Sequence, residues 1–188
     1  MVLSKLAQEV SDTLVATIKG ADDVLSALRG AVKNQVTGTL KDVSDVASSS
    51  LESVADIVHG GVAASSKVGA SLTGAVKDVV SAAVMAVSET GGNVVTAASR
   101  AARGAVLGSV EVGGDVAAAA VSAVEGAIEA AGKVGASTVE VAKEAVMAVV
   151  SAADEVSDEV GKTVRNALLT AASLPRDVVE KVVKGSDK

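Results

Sequence analysis

The chain contains no phenylalanine, tyrosine, tryptophan or cysteine, and only one histidine, His59. Each absence closes off a class of function. Without cysteine there are no disulfides and no thiolate metal sites, and one imidazole cannot build a histidine cluster. Without aromatics the bulkiest core contacts are missing, so any interior is thin and made of small groups. Stacking side chains and a basic stripe are both lacking, which argues against a nucleic-acid partner. Proline occurs once, at Pro175. Long uncharged runs are also missing. The most apolar stretch, Val79 to Ser99, is broken by Glu89, and no run reaches the about 18 residues of a membrane span. The first ten residues hold Lys5 and Glu9 rather than an unbroken apolar segment, so no signal peptide is visible and an intracellular location is expected.

What remains is mostly alanine, valine, serine and glycine, in 188 residues that are 49% hydrophobic and 21% charged. The net charge of −6 is evenly spread. Residues 1–94 carry 7 basic against 10 acidic side chains and residues 95–188 carry 10 against 13, so each half is −3. No basic domain or acidic tail stands out.

An eleven-residue repeat runs the length of the chain. Stepping in elevens from Asp12 through Asp23, Asn34, Asp45 and Asp56 to Lys188 meets 17 residues, all polar and 14 of them charged. Five columns starting at Val2, Leu3, Leu6, Ala7 and Val10 hold 85 positions and one charge, Arg29. No insertion or deletion interrupts the register. Eleven residues in three turns advance about 98° each, which sets the five columns side by side over an arc of about 130°. That is the apolar face of an amphipathic helix, and a strand period of two would scatter it. The chain is therefore expected to be all-α: long amphipathic helices with a continuous hendecad repeat over residues 1–172, then a short C-terminal helix and tail over 173–188. Ser173 is the candidate cap of that last helix, with Pro175 in its first turn. Bends are expected at Gly60-Gly61, Gly91-Gly92 and Gly113-Gly114. The contact stripe is represented by Leu14, Leu25, Val36, Val43, Val54, Val58, Val76, Val80, Val87, Val124 and Val146.

The residues able to carry chemistry are few. His59 falls on the polar flank of the stripe with Asp56 three residues earlier, and is read as a solvated surface residue. The carboxylate pairs Asp22-Asp23, Asp154-Glu155 and Asp158-Glu159 recur at the intervals of a solvated helix face, which explains them without an active site. Val156 to Thr163 ends in Gly-Lys-Thr like a phosphate-binding loop but lacks its first glycine and a preceding strand. Gly104 and Gly108 have a spacing that lets two helices approach closely. No catalytic residue, cofactor or metal ligand is assigned, and the chain is read as a non-enzyme.

An apolar stripe needs a cover: an apolar surface, other copies of the chain, or the chain folded back on itself. Strict eleven-residue repeats rich in valine, alanine, glycine and threonine, as in Gly91 to Ala98 and Val134 to Val141, resemble those of the synucleins and of perilipin-type lipid-droplet coat proteins. The comparison extends loosely to the phasins of polymer granules. The lysine-rich motif of the synucleins is absent here. The resemblance implies a helix lying along a lipid or other apolar interface. The net negative charge favours neutral droplets or granules over anionic membranes. The alternative is a self-assembling helical scaffold, a bundle, filament or shell, in which copies pack stripe to stripe. In either case an ordered chain is expected to be a homo-oligomer or bound to a surface.

Overall fold

Four short motifs set the architecture. Gly69-Ala70-Ser71, Gly91-Gly92-Asn93, Gly113-Gly114-Asp115 and Gly135-Ala136-Ser137 follow one another at intervals of 22 residues. In each, the glycine has a positive φ, between 65° and 79°. The next residue donates its N–H five residues back, as in Gly92 to Val87 and Gly114 to Ser109, both at 2.9 Å. This is the Schellman closure of a helix C-terminus. The third residue then starts the following helix. Asn93 accepts from the Thr96 N–H at 2.9 Å and Asp115 from the Ala118 N–H at 3.0 Å. Three residues thus end one helix and begin the next.

The structure is a computed structural model and describes residues 4–18, 23–41 and 48–185. Among the described residues there are nine helices and no strand. They are α1 (Lys5–Ile18), α2 (Val24–Lys41), α3 (Ser48–Lys67), α4 (Leu72–Glu89), α5 (Val94–Glu111), α6 (Val116–Val134), α7 (Thr138–Val156), α8 (Asp158–Thr170) and α9 (Arg176–Gly185).

With the exception of α8, which packs most extensively on α7, each helix packs most extensively not on a neighbour in sequence but on a helix two places along. Alternating helices therefore form two layers: α1, α3, α5 and α7 in one, and α2, α4, α6 and α8 in the other. Within a layer the helices run parallel. Glu52 meets Arg100 and His59 meets Glu111 between α3 and α5, while Arg29 meets Asp78 and Lys33 meets Glu89 between α2 and α4. Sequence number rises together on both sides of each interface. The apolar faces of the two layers meet between them. Leu14, Ile18, Leu28, Ile57 and Leu168 are its largest fully buried side chains, and much of the rest is alanine and valine.

The cover of the stripe is thus the chain folded back on itself. Of the expected bends, Gly91-Gly92 and Gly113-Gly114 lie at turns between helices. Gly60-Gly61 lies inside α3, where glycine answers a need for space. A Cβ on Gly60 would sit 2.5 Å from the Ala7 carbonyl oxygen of α1, and one on Gly61 would sit 3.0 Å from Val79. The turns at Gly69 and Gly135 fall where no bend is expected from the sequence.

The last connection departs from the pattern. Ser157 stands where a fifth glycine would fall, and its extended backbone breaks α7 from α8 at a single residue. Its side chain caps Val160 at 3.2 Å. Arg165 grips Asp154 across the break with two hydrogen bonds of 2.6 and 2.5 Å. Gly161 leaves room for that pair, since a Cβ there would strike Asp154. Ser173 does not cap α9. Its hydroxyl donates to Glu125 on α6, and Pro175 offers its carbonyl to the Val178 and Val179 N–H groups at the start of α9.

Candidate interaction surface

The stripe residues lie inside. Leu14, Val36, Val54, Val58, Val76, Val80, Val87, Val124 and Val146 are buried in the core, and Leu25 packs half-buried against it. Val43 lies outside the described residues. No large apolar face is left on the described surface. Its exposed large apolar side chains are Val139, 62% exposed, and Met147, 45% exposed, both on α7. Together with Val178 and Val182 of α9 they line an open groove of about 510 Å³. Lys143, Asp177 and Lys181 form its polar rim.

Sequence reading passes over Val139 because an eleven-residue step does not separate it from core positions, and over Met147 because it shares the column of His59 on the polar flank of the stripe. A 44-residue step, two helices along the chain, places both. Val139 then follows Leu51 and Val95, and Met147 follows His59 and Arg103. Leu51 and His59 are buried, Val95 and Arg103 half-buried, and the α7 pair exposed. Exposure rises as the layer runs out of helices to cover these positions.

The chemistry-bearing residues are arranged for packing. His59 is 6% exposed rather than solvated, and its Nε2 lies 2.9 Å from the Glu111 carboxylate. The reason is the layer: α5 covers the flank of α3 that carries the imidazole. Asp56 is engaged elsewhere, accepting from the Ser4 hydroxyl at 2.7 Å. Among the described residues no nucleophile completes a catalytic arrangement with the histidine. Of the carboxylate pairs, Asp154 is held by Arg165, and Glu155 by a two-pronged hydrogen bond from Arg103 of α5 at 2.7 and 2.6 Å. Asp23 caps α2 by accepting from the Ser26 N–H at 3.0 Å, and Asp22 lies outside the described residues. Asp158 and Glu159 occupy the exposed first turn of α8, where the helix dipole favours them.

Three glutamates have carboxyl groups held below the ordinary range by such pairs. Arg103 does this to Glu155, Lys133 and then Lys77 to Glu129, and Arg176 and then Lys184 to Glu180. All three are near the surface, where ion pairs contribute little. Among the described residues no group of acids and histidine could hold a metal ion, and no helix is long and apolar enough to cross a membrane. No protein-family model matches the chain, and no curated protein matches it.

Proposed function

We propose that this protein is a non-enzymatic structural protein that keeps its apolar stripe inside a layered helical fold and spreads it over a neutral apolar surface when the layers open. One observation carries the reading: the turns cost the repeat nothing. Gly69, Gly91, Gly113 and Gly135 occupy the same eleven-residue column as the core residues Val58, Val80, Ala102 and Val124. Twenty-two residues per helix and turn is twice eleven. A chain that straightened through its turns would therefore present one unbroken amphipathic face, the continuous hendecad expected from sequence. A fold needing only local turns could use any spacing.

The core composition supports the same reading. Alanine and valine bury less area each than leucine or phenylalanine, so less burial is lost on opening. An apolar surface would then supply what the layers give up, and the partition would follow the difference between the two. The negative net charge directs this toward uncharged surfaces such as droplets or granules. Packing copies stripe to stripe would need the same opening, with a second chain as the cover.

Flotation with triacylglycerol droplets coated in neutral phospholipid tests this, alongside circular dichroism. The wild-type chain should float with the droplets and stay helical. Gly104→Leu, which wedges α5 from α3, should float more completely because it weakens the closed form. If neither protein binds droplets, or if the wedge unfolds the chain in solution without raising its binding, the reading fails.

A further inference from the structure

We infer that α9 is a releasable strap over the C-terminal end of the layers, and that its departure is the first step by which they open. What the strap controls rests on the function proposed above; that it releases does not. The odd-numbered layer shows how a helix flank is closed when a full-length neighbour follows. On α3 this flank carries Leu51, Ala55 and His59. Gly104 of α5 lies on Ala55, and Glu111 of α5 pairs with His59. The same flank of α7, 88 residues on, carries Val139, Lys143 and Met147. The helix set beside it is α9, with 10 residues where α5 has 18. Its Val178 and Val182 form the other wall of the groove, and Val139 and Met147 stay exposed.

Three observations make α9 the most loosely held helix. It touches α7 and α8 alone, and more thinly than any other described helix touches its neighbours. Its inward side chains are the valines Val179, Val182 and Val183. Its ion pairs run inside it, from Arg176 to Glu180 at 2.8 Å and from Lys184 to Glu180 at 3.2 Å, so neither breaks when it leaves. Each of α1 to α8, by contrast, shares an ion pair with another helix. At the opposite end of the layer, α1 is tied to α3 through Asp12 and Lys67 at 3.1 Å.

The link before α9 stays attached. Ser173 donates to Glu125 of α6, which leaves Pro175 as the pivot. With α9 away, that flank of α7 is bare and α8 is held by α6 and α7 only. In a stack where each helix is held by its neighbours, the end that loses its cover opens next.

Hydrogen exchange on the full chain without lipid tests the strap. The α9 amides should exchange faster than those of α1 and α8. Val179→Ala, which trims a buried side chain of α9, should speed exchange in both α9 and α8 about tenfold. Droplet flotation tests what the strap controls. Val179→Ala should float more completely than the wild type, although it makes the chain less apolar. Lys181→Leu, which extends the apolar contact of α9 at the groove rim, should slow α9 exchange and float less, although it makes the chain more apolar. Exchange in α9 no faster than in α1 and α8 overturns the strap whatever the flotation shows. The two variants floating in the reverse order overturn its control of opening and make α9 an anchor instead. If neither the wild type nor Val179→Ala floats, the surface reading fails, and exchange alone judges the strap: α8 protection unmoved by Val179→Ala overturns α9 release as the first step.

Discussion

At the scale of single residues, glycine does two separate jobs. Gly104 is helical and faces the Ala55 carbonyl of α3 so closely that any Cβ would collide with backbone, which cannot swing away. Gly113 has a φ of 65° and nothing within 4 Å of where a Cβ would stand. The first needs space and the second needs conformation. Gly104→Leu should cost at least the ~1–3 kcal/mol typical of overpacking, because the obstacle is main chain. Gly113→Ala should cost about 1–2 kcal/mol, the penalty of a left-handed alanine. Urea titrations of the two variants would check the order, and a Gly113→Ala cost larger than that of Gly104→Leu would contradict it. The two jobs also explain which bends were legible in sequence. A glycine pair reads as a break wherever it falls. Gly60-Gly61 is the spacing kind, and nothing in composition separates it from Gly91-Gly92.

At the scale of elements, helix formation was legible because apolar and charged columns hold their register for the whole chain. Helix ends were harder. The turn glycines sit in a core column, alternating with valine or alanine at steps of eleven, so the 22-residue beat hides inside the shorter one. The signal that was available is the residue two places after each glycine: Ser71, Asn93, Asp115 and Ser137 all have N-cap chemistry. The caps should matter individually. Asn93→Ala removes the acceptor for the Thr96 N–H and should lower stability by about 1 kcal/mol. Ser71→Ala should cost less, since the Ser71 side chain makes no capping bond. Thermal melts of the two variants would show the difference. The candidate surface on α7 was illegible for a related reason. Val139 occupies an apolar column, and only its place near the end of a layer exposes it.

At the scale of the molecule, the charges tie helices together within layers. Lys67–Asp12, Lys77–Glu129 and Arg103–Glu155 each join a helix to the one two places along. Arg103 depresses the Glu155 carboxyl group below its usual range, and Lys133 of the same helix and then Lys77 depress that of Glu129. A depressed carboxyl stabilises the fold above its unfolded value and loses that contribution as the pH falls through the folded one. The fold should therefore be insensitive to pH near neutrality and weaken below the usual glutamate range of about pH 4. Because the groups are exposed, salt should shrink this acid loss. Melting temperatures at neutral and acid pH, with and without salt, would check it. A melting temperature that rises on acidification would contradict it.

The same two-layer arrangement fixes the unit in which the chain can be lengthened or shortened. Excising Ala70–Gly113 removes 44 residues and rejoins Gly69 to Gly114-Asp115, recreating a turn of the same kind. Every remaining helix keeps its layer, and α3 then meets α7 in the place of α5. Excising Ala70–Gly91 removes only 22 and joins α3 to α5 through four residues, Val68, Gly69, Gly92 and Asn93. Those helices lie side by side and parallel, so so short a link cannot connect the end of one to the start of the other. The shorter deletion should do more harm than the longer, and a cooperative melt retained by the 44-residue excision alone would show it. Length in this protein is counted in pairs of helices, and an odd helix removed leaves every later one on the wrong side.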